Sequence, residues 1–101
     1  MVDVLGYDVG GANTKAAFVS VKAGDLQDAN VATEFFPIWK RSEQLANVLL
    51  ALKDQLRKGR LDGIGVTMTA ELSDAYQTKR EGVNHILDCF RKIFPDVPLY
   101  V

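Results

Sequence analysis

The stretch GYDVGGANTK, residues 6–15, connects the first two apolar runs of the chain. Asp8 ends the first run, Gly10 and Gly11 follow it, and Asn13 precedes the second run. Glycine and asparagine tolerate the positive φ of a tight hairpin, so we predict a turn between two antiparallel strands. The turn has a second interpretation, because adjacent glycines leave backbone N–H groups accessible to an anion.

The remaining pattern predicts the element order β-β-β-α-β-α-β. Strands are predicted at residues 2–8, 15–21, 31–38, 61–68 and 97–101, a polar turn at 22–28, and helices at 42–58 and 78–94. Apolar residues recur at helical spacing in both helices, and Thr78 and Glu81 fit a capping box. Turns separate the early strands and helices separate the later ones. We therefore predict an α/β fold, a mixed five-stranded sheet with the helices packed beside it.

Size and charge exclude several classes of protein. The chain has 101 residues, which is enough for one small domain, and a net charge of −1. Without a basic patch, a nucleic-acid partner is not expected, and no apolar run approaches the ~20 residues that span a bilayer. Cys89 is a single cysteine, which rules out an internal disulfide framework. With no signal-peptide pattern at its start, the chain is expected to be cytoplasmic.

The glycine turn contains the parts of a phosphate-binding loop. Asp8 cannot contact phosphate directly without repulsion, but it can hold a magnesium ion that bridges to phosphate oxygens. The other candidates for the loop are Gly10, Gly11, Asn13, Thr14 and Lys15, the last as a charge partner. Two alternatives remain open. The glycines could form an ordinary turn capped by Asp8, and Lys15 could point to solvent.

A second group of candidates follows the fourth predicted strand. Glu71 and Asp74 come after its carboxyl end, where open α/β sheets place their ligands, and Thr67 lies near its end. Glu71 is the candidate general base. The alternatives are that both acids stabilise the start of a helix and that Thr67 is a packed strand residue.

The opening motif resembles a known phosphate-binding motif. A strand ending in D-x-G-G, a tight turn and N-T-K is similar to the first phosphate motif of the actin-like ATPase superfamily, whose half-domain has the order βββαβαβ. FFPIWK (35–40) and VTMTAELSDAYQTKREGVNHI (66–86) resemble the hydantoinase/oxoprolinase-related proteins of the tetrahydromethanopterin-linked C1 transfer pathway. That family includes the methanofuran-biosynthesis synthase. The resemblance extends over residues 4–101.

The resemblance implies a condensation reaction. Family members join an aminomethylfuran-methyl diphosphate to the phenol of γ-glutamyltyramine and release pyrophosphate, which makes them transferases. It implies Mg²⁺ at Asp8, a diphosphate-bearing small molecule in the loop, and Glu71 and Asp74 as catalytic residues. Family members are longer and have a second lobe. Residues 1–101 are therefore expected to be an N-terminal lobe without its C-terminal partner, inactive when isolated and prone to dimerise or aggregate.

Two other functions remain open. A small-molecule kinase or ATPase of the same superfamily would hold ATP in the same loop. A noncatalytic interaction module would keep the fold without the chemistry. The joint presence of Asp8, Asn13, Lys15, Glu71 and Asp74 favours a catalytic function over the interaction module.

Overall fold

The structure is a computed structural model that describes residues 2–36, 44–56, 60–68 and 78–101. The elements, renumbered here in chain order, are β1 Val2–Val9, β2 Asn13–Lys22, β3 Asp25–Phe35, α1 Leu45–Leu56, β4 Gly63–Met68, α2 Lys79–Ile93 and β5 Leu99–Tyr100. Their order is the predicted one. Neither α1 nor α2 is long and apolar enough to cross a membrane.

The strands form one mixed sheet with the spatial order β3-β2-β1-β4-β5. β1, β2 and β3 are an antiparallel meander, whereas β1 pairs with β4 and β4 with β5 in parallel. This confirms the predicted α/β fold with a mixed five-stranded sheet. It also places the carboxyl ends of β1 and β4 at the same edge of the sheet.

The helices pack against the sheet through alternate residues of its strands. Side chains of β1 that face the helices are fully or almost fully buried, as are Thr14, Ala16, Phe18 and Ser20 of β2. The core consists of Leu5, Tyr7, Val9, Ala16, Phe18, Phe36, Leu45, Leu49, Leu52, Leu61, Ile64, Val66, Ile86, Phe90 and Phe94. The other face of the sheet is called the open face below.

Tyr7 connects β1 to both helices. Its hydroxyl donates a hydrogen bond of 2.7 Å to the carbonyl oxygen of Leu49 in α1, and its ring lies edge-on to Phe90 of α2 at 5.0 Å. Burial raises the pKa of Tyr7 above its ordinary value, and the nearby Asp54 carboxylate raises it further. A neutral, hydrogen-bonded tyrosine thus connects the sheet to the helix layer.

The second helix begins as predicted. Thr78 is the N-cap of α2, and its Oγ1 accepts a 3.0 Å hydrogen bond from the backbone N–H of Glu81. This bond satisfies one of the four N–H groups that a helix leaves unpaired at its start. The first helix spans Leu45–Leu56. The flanking predicted helix residues 42–43 and 57–58 lie outside the described residues.

The prediction for the third strand was wrong at its start. β3 begins at Asp25, not at residue 31, and the turn before it is limited to Ala23 and Gly24, with φ of 52° and 82°. Two successive positive φ values match the twist of a two-residue hairpin. Most of β3 is exposed on both faces, so its polar residues show no alternation that could identify a strand.

The observed bounds of the other strands differ less from the predicted bounds. β2 begins at Asn13, β4 begins at Gly63, and β5 contains two residues in place of the predicted five. The turn at Gly10 and Gly11 uses no positive φ, since the positive values among the described residues belong to the Ala23–Gly24 turn. The conformational reason given for the two glycines was therefore wrong.

Candidate functional site

Three polar side chains come together at one end of the open face. Asp8 of β1 is in register with Lys15 of β2 on one side and with Thr67 of β4 on the other. The Oγ1 of Thr67 donates a 3.4 Å hydrogen bond to Oδ1 of Asp8. The structure thus brings Asp8 and Lys15 together and places Thr67 beside them.

The glycine turn lies directly beyond these residues. The N–H of Gly10 donates to the carbonyl oxygen of Asn13 at 3.0 Å, so it closes the turn and is not directed at a ligand. Gly11 differs, because a Cβ at that position would meet nothing within 4 Å. Asn13 is exposed, two residues before Lys15 on β2. Gly11 and Asn13 are therefore the sequence-predicted residues of the turn with open space around them.

Thr14 does not join this group. Its side chain is fully buried on the helix side of β2, because successive strand residues face opposite sides. Its Oγ1 has no hydrogen-bond partner within residues 2–36, 44–56, 60–68 and 78–101. Listing Asn13, Thr14 and Lys15 as consecutive donors overlooked the pleat of the strand, which the alternation along β2 could have shown.

Glu71 and Asp74 lie outside the described residues. β4 ends at Met68, and Met68 is the in-register partner of Val9, the residue after Asp8. The chain therefore leaves β4 at the end of the sheet that carries Asp8.

The polar end opens onto a shallow trough of about 620 Å³ on the open face. Its floor is formed by Gly6, Ala17 and Gly65, and Val31 and Tyr100 lie at its sides. The trough is mainly apolar and has its charged groups, Asp8 and Lys15, at one end. A ligand with an apolar body and an anionic group matches this distribution.

The surroundings of Asp8 suit a magnesium ion that is shared with a bound phosphate and water. They do not suit a metal ion held only by protein side chains. The described part of the chain contains no group of three or more His, Cys, Asp or Glu side chains that could hold a metal ion. Mg²⁺, however, is commonly held by one or two carboxylates together with phosphate oxygens of the ligand and water. Asp8 is exposed at a strand end and can provide such a carboxylate.

The strand order and the two helices match the half-domain of the actin-like ATPase fold. The type II variant of the Aquifex aeolicus Ppx/GppA phosphatase matches it with a TM-score of 0.67 and 12% identity, over 100% of this chain and 36% of that chain. A further structure of the Aquifex aeolicus PPX-GPPA enzyme matches with a TM-score of 0.54, over 99% of this chain and 36% of that chain, again at 12% identity. At such low identity, the likeness shows the fold alone.

Sequence similarity leads to a particular relative. The chain is 39% identical over 98 residues to the Methanocaldococcus jannaschii (4-{4-[2-(gamma-L-glutamylamino)ethyl]phenoxymethyl}furan-2-yl)methanamine synthase. The match covers 97% of this chain and 26% of the relative, so the chain spans about a quarter of the relative's length. No protein-family model matches the chain.

Proposed function

We propose that this chain is the N-terminal lobe of a methanofuran-biosynthesis-type synthase of the hydantoinase/oxoprolinase-related family, and that it holds a diphosphate leaving group. The proposal rests on one observation. Asp8 lies between its in-register neighbours Lys15 and Thr67, close to Gly11, which has open space around it. The 39% identity to the archaeal synthase supports the class of product.

The relative's name describes the bond that such an enzyme forms. The compound is a phenoxymethylfuran, so an ether joins a phenol oxygen to a methylene carbon on the furan ring. In the proposed step the phenol oxygen attacks that carbon, the bond from carbon to the diphosphate oxygen breaks, and pyrophosphate leaves with the electron pair. The phenol proton goes to a base. The rate then depends on stabilising the negative charge that develops on pyrophosphate.

In the proposed function, the described residues stabilise the negative charge on the leaving pyrophosphate. The ammonium group of Lys15 neutralises phosphate oxygens, while the N–H of Gly11 and the side-chain amide of Asn13 donate hydrogen bonds to them. Thr67 orients the Asp8 carboxylate through their hydrogen bond. Asp8 would hold Mg²⁺, directly or through water, and the bound ion would supply positive charge to the leaving group.

We assign the general base to Glu71 and name Asp74 as the second catalytic residue. Both assignments rest on the position of these acidic residues after β4 in the sequence. A second lobe would close over the diphosphate, as in other proteins of this architecture. The isolated chain therefore has half of a binding site and is expected to bind diphosphate without catalysing the condensation.

The experiment is a calorimetric titration of the chain with Mg-pyrophosphate. We expect weak binding near 1 mM, about 4 kcal/mol, because half of the clamp is absent. Asp8→Asn and Lys15→Ala should abolish the heat. Asp25→Asn is the matched control, since Asp25 is an exposed acid at the β2–β3 turn. Equal heats from the wild type and Asp8→Asn, or heats independent of Mg²⁺, would contradict the proposal.

The same titration with Mg-ATP distinguishes the main alternative. A kinase or ATPase would hold the nucleotide in the same loop, so clearly tighter binding of ATP than of pyrophosphate would favour that function. If the Asp8→Asn variant binds neither Mg-ATP nor Mg-pyrophosphate, the two ligands share the site.

A further inference from the structure

Phe36 is the residue at which the chain returns to the core after β3. The residues of β3 that pair with the buried, helix-facing side chains of β2 are Asp28, Asn30, Ala32 and Glu34. Of these, Ala32 is partly buried and the polar residues are exposed. The side chain of Phe36, in contrast, is fully buried. Because buried aromatic side chains contribute strongly to packing, Phe36 fixes the end of β3 to the core.

The backbone of Phe36 contacts the glycine turn, residues 10–13. Its N–H donates a 2.8 Å hydrogen bond to the carbonyl oxygen of Ala12. Asn13 and Phe35 are the in-register pair of β2 and β3 nearest the turn, so this bond continues the pairing of the two strands one step further, into the turn. The third strand thus supports a turn that belongs to the β1–β2 hairpin.

The turn is therefore held from both of its sides. On the β1 side, the N–H of Gly10 donates to the carbonyl oxygen of Asn13 at 3.0 Å, and on the β3 side Phe36 donates to Ala12. A peptide unit is planar, so a bond to the carbonyl of Ala12 also fixes the direction of the N–H of Asn13. Two successive carbonyl oxygens of the turn are thus held in one orientation. A carbonyl oxygen that rotated toward a bound anion would repel it.

The composition of the turn makes this support important. Gly10 and Gly11 are adjacent, and glycine has more backbone conformations available than any other residue. Gly11 also has open space around it, because a Cβ at this position would meet nothing within 4 Å. A flexible turn loses conformational entropy when a ligand orders it, whereas a turn that is already fixed loses less. Hydrogen bonds from outside the turn therefore raise the affinity of a ligand that binds it in this conformation.

We infer that Phe36 is a positioning residue for diphosphate binding at the glycine turn. Its buried ring holds its N–H in place, and that N–H fixes the carbonyl of Ala12. The ring lies in the core, so Phe36 acts through Ala12 and does not contact the ligand. The part of the inference that concerns diphosphate rests on the proposed function, whereas the fixing of the turn by Phe36 does not. Two experiments test these parts separately.

The first experiment measures hydrogen exchange of the Gly10 amide by NMR in the ligand-free protein. Phe36→Leu keeps an apolar side chain but packs less well, so this amide should exchange about tenfold faster than in the wild type, through local opening of the turn. The matched control is Phe18→Leu, which makes the same change at a buried position in the middle of β2. In the control, the Gly10 rate should stay within about twofold of the wild type. No acceleration in Phe36→Leu, or equal acceleration in both variants, would overturn the inference.

The second experiment titrates the same proteins with Mg-pyrophosphate under conditions in which each is folded. Phe36→Leu should raise Kd by about fivefold, the more conservative Phe36→Met should raise it by less, and Phe18→Leu should leave it unchanged. A role in stability alone would not separate Phe36→Leu from Phe18→Leu. If the wild type binds and Phe36→Leu has the same Kd, the inference is overturned and the proposed function stands. If the wild type does not bind, the proposed function is contradicted, and the exchange rates alone decide whether Phe36 fixes the turn.

Discussion

Tyr7 and Asp8 are adjacent residues of β1 whose side chains lie on opposite faces of the sheet. Tyr7 is bound to Leu49 and packed on Phe90 on the helix side, whereas Asp8 accepts a hydrogen bond from Thr67 on the open face. The contacts that hold β1 on the helices therefore also fix the position of the Asp8 carboxylate. A core residue and a candidate ligand for magnesium are coupled through one peptide unit.

Removing the hydroxyl of Tyr7 should destabilise the fold. Tyr7→Phe keeps the ring packing but removes the side-chain hydrogen bond to the Leu49 carbonyl, which keeps its backbone bond within α1, so the expected loss is the net value of one hydrogen bond, about 0.5–1.5 kcal/mol. Urea unfolding should show the loss, and Tyr100→Phe, at an exposed position, should leave the midpoint unchanged. Equal midpoints for Tyr7→Phe and the wild type would mean that the hydrogen bond contributes little.

The same residue predicts a loss of stability at high pH. Burial, and then the charge of Asp54, raises the pKa of Tyr7 above its ordinary value of 10.0, so the folded state binds the proton more tightly than the unfolded state. This contribution is complete below pH 10.0 and falls as the pH rises further. Urea midpoints measured above and below that pH should decline more steeply in the wild type than in Tyr7→Phe. Parallel curves would contradict this.

Thr14→Val separates the two interpretations of Thr14. A buried hydroxyl without a partner in the described residues costs about 1–3 kcal/mol, so valine should leave stability unchanged or raise it. Binding of Mg-pyrophosphate should be unaffected, because the side chain faces the helices. Thermal unfolding and calorimetry provide the two measurements, with Thr33→Val as the exposed control on β3. Weaker pyrophosphate binding would place Thr14 in the site after all.

The proposed base is tested in a two-lobed protein that contains this segment. Glu71→Gln should lower kcat by about 10²–10⁴-fold, as expected for loss of a positioned base, with KM for the diphosphate nearly unchanged. Asp8→Asn should instead alter the Mg²⁺ dependence. A near-normal kcat in Glu71→Gln would mean that another group accepts the phenol proton.

The order of elements could be predicted because apolar runs and helical periodicity are local signals. The start of β3 could not, because Ala23 adopts a left-handed conformation that alanine rarely takes and the polar residues after it show no alternation. The pairing of Asp8 with Lys15 follows from a hairpin whose turn, residues 10–13, is centred between Gly11 and Ala12. Its meeting with Thr67 depends on the parallel register of β1 and β4, which sequence periodicity does not encode.

The distance along the chain between Asp8 and Thr67, 59 residues, also sets the order in which the molecule assembles. The meander of β1, β2 and β3 closes through short turns and needs little loop entropy, whereas β4 pairs with β1 only after a long loop has closed. Amides of the meander should gain protection from hydrogen exchange before those of β4. During synthesis, the end of the sheet that carries Asp8 is completed only after Thr67 has left the ribosome.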